Sequence, residues 1–411
     1  MIKQNELVPK RRFKGYTSEW RLRKWIETVD ISTNMVDPKN GNYDELFHIG
    51  PGNMESFTGR VLDNVKKVKD ENLISGKFYF KRGDVIYGKI NPQLGKYVLS
   101  NFDGLASADA YVLNTKNEVL QDFLYRILQT SSFYKYSVSV SSRTGMPKIN
   151  RNELNQYSFW APLLEEQKRI GQFFKHLDEM IALQQRKIDK AKALKSAYLA
   201  EMFPAEGERI PKRRFEGFTN EWEVKILGNI GHTFTGLSGK TKEDFGHGNA
   251  EFVTYMNVFN NPISNIAITE NVEIDIKQDE VKYGDVLFTT SSETPHEVGM
   301  SSVWLDNRPN VYLNSFCFGY RINIKIDYLF IAYLFRSNIL RNQMEILAQG
   351  ISRYNISKNK VMEIKILLPS KKEQQKIGQF FKHLDEMIAT HQQKLEKLKA
   401  TKQAYLHEMF V

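Results

Sequence analysis

A chain of 411 residues is longer than one hydrophobic core usually organises, about 250 to 300 residues, so two or three domains are expected. Its 41% apolar and 26% charged residues exclude a disordered or fibrous chain, and its formal net charge of +10 favours a polyanionic partner. The single cysteine, Cys317, excludes internal disulfides and a cysteine-based zinc site, and points to a reducing, cytoplasmic setting.

In chain order, MIKQNELVPK lacks the apolar core of a signal peptide, so none is expected. The stretch PKRRFKGYTSEW occupies residues 9–20. Within the body that follows, YFKRGDVIYGKI (79–90) reads as strand, Gly-Asp turn, strand, the pattern of a hairpin. KINPQLGKY (89–97) combines Lys89, Asn91, Gln93 and Lys96 with turn formers. NEVLQDFLYRILQTSSFYKY (117–136) reads as an amphipathic helix, and SSRTGMPKIN (141–150) as a hydroxyl-rich loop carrying Arg143 and Lys148. Residues 1–161 hold 24 Lys and Arg against 17 Asp and Glu, so the first body has the charge of a nucleic-acid binder.

Residues 165–203, EEQKRIGQFFKHLDEMIALQQRKIDKAKALKSAYLAEMF, read as one long helix between Pro162 and Pro204. With Ile170 as heptad position d, apolar a and d sites run through Phe174, Leu177, Ile181, Ile188, Ala191, Tyr198 and Met202, interrupted by Gln184 and Lys195. Phe173, Met180 and Leu194 widen the stripe at g positions. The wide stripe suggests further helices docking from outside; burial on the chain's own domains is the other reading.

The order then repeats. PKRRFEGFTNEW (211–222) opens the second half, EVKYGDVLFTT (280–290) matches the earlier strand and Gly-Asp turn, and DYLFIAYLFRSNILRNQMEIL (327–347) reads as an amphipathic helix. That last segment holds the richest apolar patch, which Arg336 stops well short of the ~18 residues a membrane span needs. TTSSETPHEV (289–298) carries Ser291, Ser292, Thr294 and His296; QGISRYNISKNK (349–360) carries Arg353, Tyr354 and Lys358. TGMPKIN (144–150) aligns with QGISRYN (349–355). Residues 204–371 hold 19 Lys and Arg against 20 Asp and Glu, so charge lends the second body no support as a DNA binder. Residues 372–410 align without gaps to 165–203, and GQFFKHLDEMIA recurs letter for letter at 171–182 and 378–389. Ser370 with Glu373 looks like a capping box for this second long helix. Its stripe includes Phe380, Phe381, Leu384, Met387 and Ile388, interrupted by His391 and Lys402.

Signatures of catalysis are missing. There is no Gly-rich phosphate loop followed by Lys and Ser or Thr, no Asn-Pro-aromatic adenine-methylation motif, no Gly-rich cofactor loop and no nuclease carboxylate cluster. His176 with Glu179, and His383 with Glu386, have helical spacing for a metal but fall away from the seam, so no metal is expected. The polar loop residues Lys89, Asn91, Gln93, Lys96, Arg143, Lys148, Ser291, Ser292, Thr294, His296, Arg353, Tyr354 and Lys358 are of the types that contact phosphates and base edges, and are taken as candidate DNA-binding residues. Phe173, Phe174, Leu177, Met180 and Ile181, with Phe380, Phe381, Leu384, Met387 and Ile388, are the candidate partner-docking residues.

Two variable bodies, each followed by a near-identical helix carrying EQxxIxxxFxxLDxxI, with the openers PKRRFKGYTSEW and PKRRFEGFTNEW and the helix ends AYLAEMF and AYLHEMF, resemble the specificity subunit of type I restriction–modification enzymes along essentially the whole chain. The resemblance implies an α+β protein with a pseudo-two-fold internal repeat: recognition domains at 1–164 and 204–371, and two long antiparallel coiled-coil helices at 165–203 and 372–411 that separate them. It implies no catalytic activity in this chain. Each body would read one half of a bipartite, asymmetric site in double-stranded DNA, with no membrane involved. Two methyltransferase subunits, binding S-adenosylmethionine, and two motor-nuclease subunits, using ATP and Mg, would carry the chemistry. A scaffold whose bodies bind protein or glycan on a coiled-coil strut is the alternative.

Overall fold

The computed structural model describes residues 8–141 and 145–411. The chain divides into two units: one contains the residues up to Gln184 together with Gln393–Val411, the other spans Gln185–Gln392. Both boundaries fall inside long helices, Leu164–Glu201 (the central helix) and Lys371–Glu408 (the C-terminal helix). Each unit therefore owns half of each helix, and the helices do not form a body of their own.

In the first unit Val29–Ile31, Ala110–Thr115, Val85–Gly88 and Tyr97–Leu99 form, in that spatial order, a four-stranded antiparallel sheet. A second, five-stranded sheet is mixed, because Phe47–Ile49 runs parallel to Gly104–Ala106. Arg21–Lys24 and Ser158–Ala161 pair antiparallel where the chain enters and leaves the body. The second unit repeats the plan. Its four-stranded antiparallel sheet is ordered Gly231–Thr235, Cys317–Ile322, Val286–Thr289, Ser301–Val303, a three-stranded sheet contains one parallel pair, and Glu223–Ile226 pairs with Lys365–Leu368.

The expected hairpins are not hairpins. Lys77–Phe80 pairs with Met35–Val36 and Gly104–Ala106 in the five-stranded sheet, whereas Val85–Gly88 lies in the four-stranded one. The Gly-Asp turn is a corner between sheets. Gly83 sits at φ 93°, where a side chain is strained, and the Asp84 carboxylate accepts from the Lys81 N–H at 2.8 Å. In the second unit Gly284 at φ 89° and Asp285, accepting from the Lys282 N–H at 2.7 Å, build the same corner before Val286–Thr289.

Each expected single helix of the bodies is two helices. Gln121–Ile127 is followed by Ser131–Ser141, and Tyr328–Leu334 by Asn338–Ile346. The breaks fall at Thr130 and Ser337. Their hydroxyls donate to the carbonyls of Ile127 (2.7 Å) and Leu334 (2.6 Å), three residues back, which ends one helix where the next begins.

Within both units the long helices run antiparallel. In the first, Phe173 meets Tyr405 while Asp178 meets Lys402; in the second, Tyr198 meets Phe380 while Lys195 meets Asp385. The two lysines among the polar seam positions are thus in ion pairs, Lys402 Nζ–Asp178 at 2.7 Å and Lys195 Nζ–Asp385 at 2.5 Å. The core of the first unit joins Phe174, Leu177, Leu406 and Met409 to Trp20, Trp25 and Phe123; that of the second joins Phe381, Leu384 and Met202 to Trp222, Phe330 and Tyr333.

The openers clamp these helix ends. Arg12 binds the buried Glu166 through two parallel hydrogen bonds of 2.7 and 2.6 Å, and Arg214 binds the buried Glu373 at 2.6 and 2.8 Å. Arg11 pairs with Glu408 and Arg213 with Glu201, so each opener holds one helix start and one helix end. Only half of the expected capping box forms. The Ser370 hydroxyl accepts from the Glu373 N–H at 3.4 Å, but the Glu373 carboxylate is committed to Arg214.

Candidate nucleic-acid interface and docking face

Two loops meet in each unit, by the same hydrogen bond. The Ile149 N–H donates to the Lys89 carbonyl at 3.0 Å, and the Ile356 N–H donates to the Thr290 carbonyl at 3.0 Å. In the first unit the Asn91 N–H adds a 2.7 Å bond to the Pro147 carbonyl, and Ile90 bridges Lys148. In the second, Ser291 and Ser292 pair antiparallel with Asn355 and Tyr354. The loops expected to contact DNA, 89–97 with the later part of 141–150, and 289–298 with 349–360, are therefore neighbours in their respective units.

The individual side chains divide sharply. Lys148 and Arg353 are exposed, as are Gln93 and His296. Lys89 is half-buried, its Nζ 5.3 Å from the centre of the Tyr111 ring. Burial lowers its pKa; Asp109 opposes that shift, while Lys148 and Arg151 add to it. A run of left-handed residues shapes its loop: Asn91 at φ 49° starts a short turn of helix over Pro92–Leu94, and Gly95 at φ 55° ends it. Lys358 and Tyr354 are part-exposed. Lys96, by contrast, spends its ammonium on the carbonyl of Met54. Ser291 and Ser292 are buried. The hydroxyls of Ser292 and Thr294 donate to Glu297, at 3.2 and 2.5 Å, and the Thr294 bond is the main cause of a lowered Glu297 pKa. These three residues hold the loop and offer little to a ligand. Arg143 lies outside the described residues.

Arg341 was not singled out from the sequence, yet it shapes the same loop. Its guanidinium donates to the carbonyls of His296 and Gly299 (both 2.8 Å) and Val298 (2.6 Å). Arg336 ties the Ser301 carbonyl to those of Val258, Phe259 and Asn261, and burial pulls its pKa down to about 9. Neither role is visible in the sequence, because the carbonyl partners come from segments 35 or more residues away.

The helix face also differs from expectation. Phe174, Leu177, Phe381, Leu384 and Ile388 are buried in the chain's own packing and cannot be a docking surface. Phe173 and Phe380 are half-covered, chiefly by the openers' own Phe13 and Phe215 and by Tyr405 and Tyr198. Met180 and Ile181 are part-exposed and Met387 is 39% exposed. The openers thus cover Phe173 and Phe380, while Leu194 and Met387 of the wide stripe remain 41% and 39% exposed. Also outside is a polar, repeated set: Gln172, Lys175, His176 and Glu179, and again Gln379, Lys382, His383 and Glu386, all exposed.

Packing accounts for much of the twelve-residue repeat but not for those positions. Gly171 and Gly378 sit where a Cβ would come within 2.9 Å of Asp122 and 2.6 Å of the Phe330 backbone nitrogen. The neighbouring EQ pair is equally committed. Gln167 receives the Leu120 N–H and donates to the Glu118 and Pro162 carbonyls, all at 2.9 Å; Gln374 receives the Asp327 N–H at 3.0 Å and donates to the Pro369 carbonyl at 2.9 Å.

Among the described residues no helix is long and apolar enough to cross a membrane. Residues 27–193 and 219–400 match the family model described as "Type I restriction modification DNA specificity domain". The type I restriction enzyme EcoDI specificity subunit of Escherichia coli is 30% identical over 193 residues, 46% of this chain and 42% of that protein, so the match spans less than half of that relative. A putative type I restriction enzyme specificity subunit of Methanocaldococcus jannaschii, MjaX, is 22% identical over 95% of this chain and 92% of its own length. The crystal structure of a type I restriction–modification S subunit from M. genitalium shares the fold, with a TM-score of 0.61 and 15% identity, covering 98% of this chain and 99% of that one.

Proposed function

The chain belongs to the type I restriction modification DNA specificity family, and from that premise we propose that it is the DNA-reading, non-catalytic subunit of such an enzyme, working in the cytoplasm. Each body reads one half of a two-part site in double-stranded DNA, and the paired long helices hold the half-sites at a set separation. The observation that carries this reading is the two-loop platform built twice by the same backbone bond, Ile149 to Lys89 and Ile356 to Thr290. Two divergent bodies presenting equivalent platforms is what a chain needs to read two different half-sites in one geometry.

Two methyltransferase subunits are the expected direct partners, with S-adenosylmethionine, Mg and ATP belonging to them and to two motor-nuclease subunits. The docking face we assign is the exposed, duplicated set Gln172, Lys175, His176 and Glu179 with Gln379, Lys382, His383 and Glu386. Apart from an exposed Lys382–Glu386 pair at 3.6 Å within one helix, no contact recorded among the described residues holds these side chains the same in both copies; one partner bound twice would demand it.

The test is to assemble the chain with its methyltransferase and map methylated adenines. A two-part recognition sequence, with DNA affinity falling steeply as salt rises, is the expected result. Methylation that proceeds unchanged without this chain, or a single uninterrupted recognition block, would overturn the reading. Lys175→Glu alone should leave one methyltransferase bound per chain and Lys175→Glu with Lys382→Glu none, as read by mass photometry; two bound in the double variant would exclude this face.

A further inference from the structure

The two-loop platform has a third segment, and it too is built alike in both units. The Lys89 N–H donates to the Asp109 carbonyl at 3.0 Å, and the Thr290 N–H to the Phe316 carbonyl at 2.8 Å. Lys89 and Thr290 are thus the middle members of matching joints, since their own carbonyls accept from Ile149 and Ile356. Asp109 and Phe316 end equivalent turns. The Ala110 N–H donates to the Ser107 carbonyl and the Cys317 N–H to the Asn314 carbonyl, both at 3.0 Å. The side chains of Ser107 and Asn314 accept from the N–H groups of Asp109 (3.2 Å) and Phe316 (2.9 Å). The strand that follows pairs Ala110 with Gly88 in one unit and Cys317 with Thr289 in the other. Asp109 and Phe316 therefore hold one backbone position of the platform, fixed by the same bonds.

Their side chains are both exposed and chemically opposite. Phe316 leaves 58% of its surface in water. Among the described residues the Asp109 carboxylate accepts no hydrogen bond and joins no ion pair; the neighbouring Lys89 ammonium lies over the Tyr111 ring instead. Neither side chain contributes much to folding in that state. On a surface that meets DNA each is selective. A carboxylate is repelled by the phosphates and is tolerated only where a base offers it a donor. The major groove offers two, the amino groups of cytosine N4 and adenine N6, and adenine sets its N7 acceptor beside the donor, which repels a carboxylate. A phenyl ring finds one apolar group in the same groove, the thymine methyl.

We propose that Asp109 and Phe316 are base-selecting residues at one shared platform position: Asp109 accepts from the N4 amino group of a cytosine in the half-site of the first unit, and Phe316 packs on a thymine methyl in the half-site of the second. This rests on the DNA-recognition reading above and adds to it a residue in each unit that selects a base, and the base selected.

The experiment uses the chain assembled with its methyltransferase and measures affinity for its mapped site across a range of salt. Asp109→Asn removes the charge at constant size and adds a donor, which suits N6 and N7 of adenine. It should lower affinity for the mapped site by roughly 5- to 150-fold and move one position of one half-site from cytosine to adenine, as read from methylated-adenine maps. Phe316→Ser should lower affinity over the same range, leave the salt slope unchanged and relax one position of the other half-site. Uracil in place of the thymine there, which removes only the methyl, should weaken the wild type and leave Phe316→Ser unaffected. Phe316→Leu should recover most of the loss. Wild-type affinity with an unchanged methylated sequence in either variant overturns the proposal. So do two variants that relax the same half-site, or a uracil substitution that costs the wild type nothing at every thymine. A wild-type complex with no sequence preference would sink the functional reading as well.

Discussion

Arg12 and Arg214 show what one side chain settles. Each forks onto a glutamate with almost no access to water and also reaches a carbonyl of its own opener, Ser18 or Asn220, at 2.7 Å. Removing the guanidinium strands a buried carboxylate. Arg12→Ala is therefore expected to cost about 3–5 kcal/mol in the first unit, and Arg214→Ala the same in the second, measured by denaturant unfolding. Lys in either place restores the charge but not the fork, and should recover only part. His48 supplies a pH dependence. Burial is the main cause of its lowered pKa, partly offset by Glu71, whose carboxylate is 2.8 Å from Nδ1. With the folded pKa below the ordinary value near 6.5, the unfolded chain binds the proton more readily, so this stability is present above that value and lost as pH falls through the folded pKa. Between pH 7 and 5 the wild type should lose more stability than His48→Gln, by thermal unfolding at each pH. The repeated openers were legible in the sequence. Their partners were not, because Glu166 and Glu373 lie more than 150 residues on, and Glu373 looked like part of a capping box.

At the scale of elements, the long helices were the most legible part of the chain, because a heptad stripe over 38 residues leaves few alternatives. None of the apolar a and d positions in either copy is exposed. What lay on their flanks was not decided by periodicity. A g-position phenylalanine asks for cover, and only the folded chain says that Phe13 and Phe215 supply it. The short helices failed as single elements because hydroxyls at Thr130 and Ser337 compete locally with the helix, a weak signal inside a strong apolar pattern. The glycines of the repeat give a graded prediction. Gly378→Ala drives a methyl into backbone at 2.6 Å, where little can yield, whereas at Gly171 it meets the Asp122 side chain at 2.9 Å. Both substitutions should destabilise, by about 1–3 kcal/mol, with Gly378→Ala the worse of the two by differential unfolding of its own unit.

At the scale of the whole molecule, the internal duplication makes a spacing prediction. Gln185 and Gln392 are equivalent positions of the two helices and adjoin the boundaries between the units. Inserting four helix-forming residues after both lengthens each helix by about 6 Å, against about 3.4 Å per base pair of duplex. The permitted gap between half-sites should grow by about one to two base pairs while the half-sites stay the same, as read from methylated-adenine maps. A change in the bases recognised would contradict the division of labour between bodies and helices.

By itself the sequence determined the duplication, the two long helices and the α+β character of the bodies, since each is written locally in period, turn chemistry or repeated letters; that the candidate loops meet was decided by the fold. Tertiary structure alone decided which of those residues face outward. Phe174, Leu177 and Ser291 turned inward; Lys96, Ser292 and Thr294 were spent on the protein; Gln93, Lys148, His296 and Arg353 stayed exposed. The reason is physical: periodicity specifies which side of an element is apolar, but burial depends on what distant segment arrives to cover it, and that is a property of the folded chain.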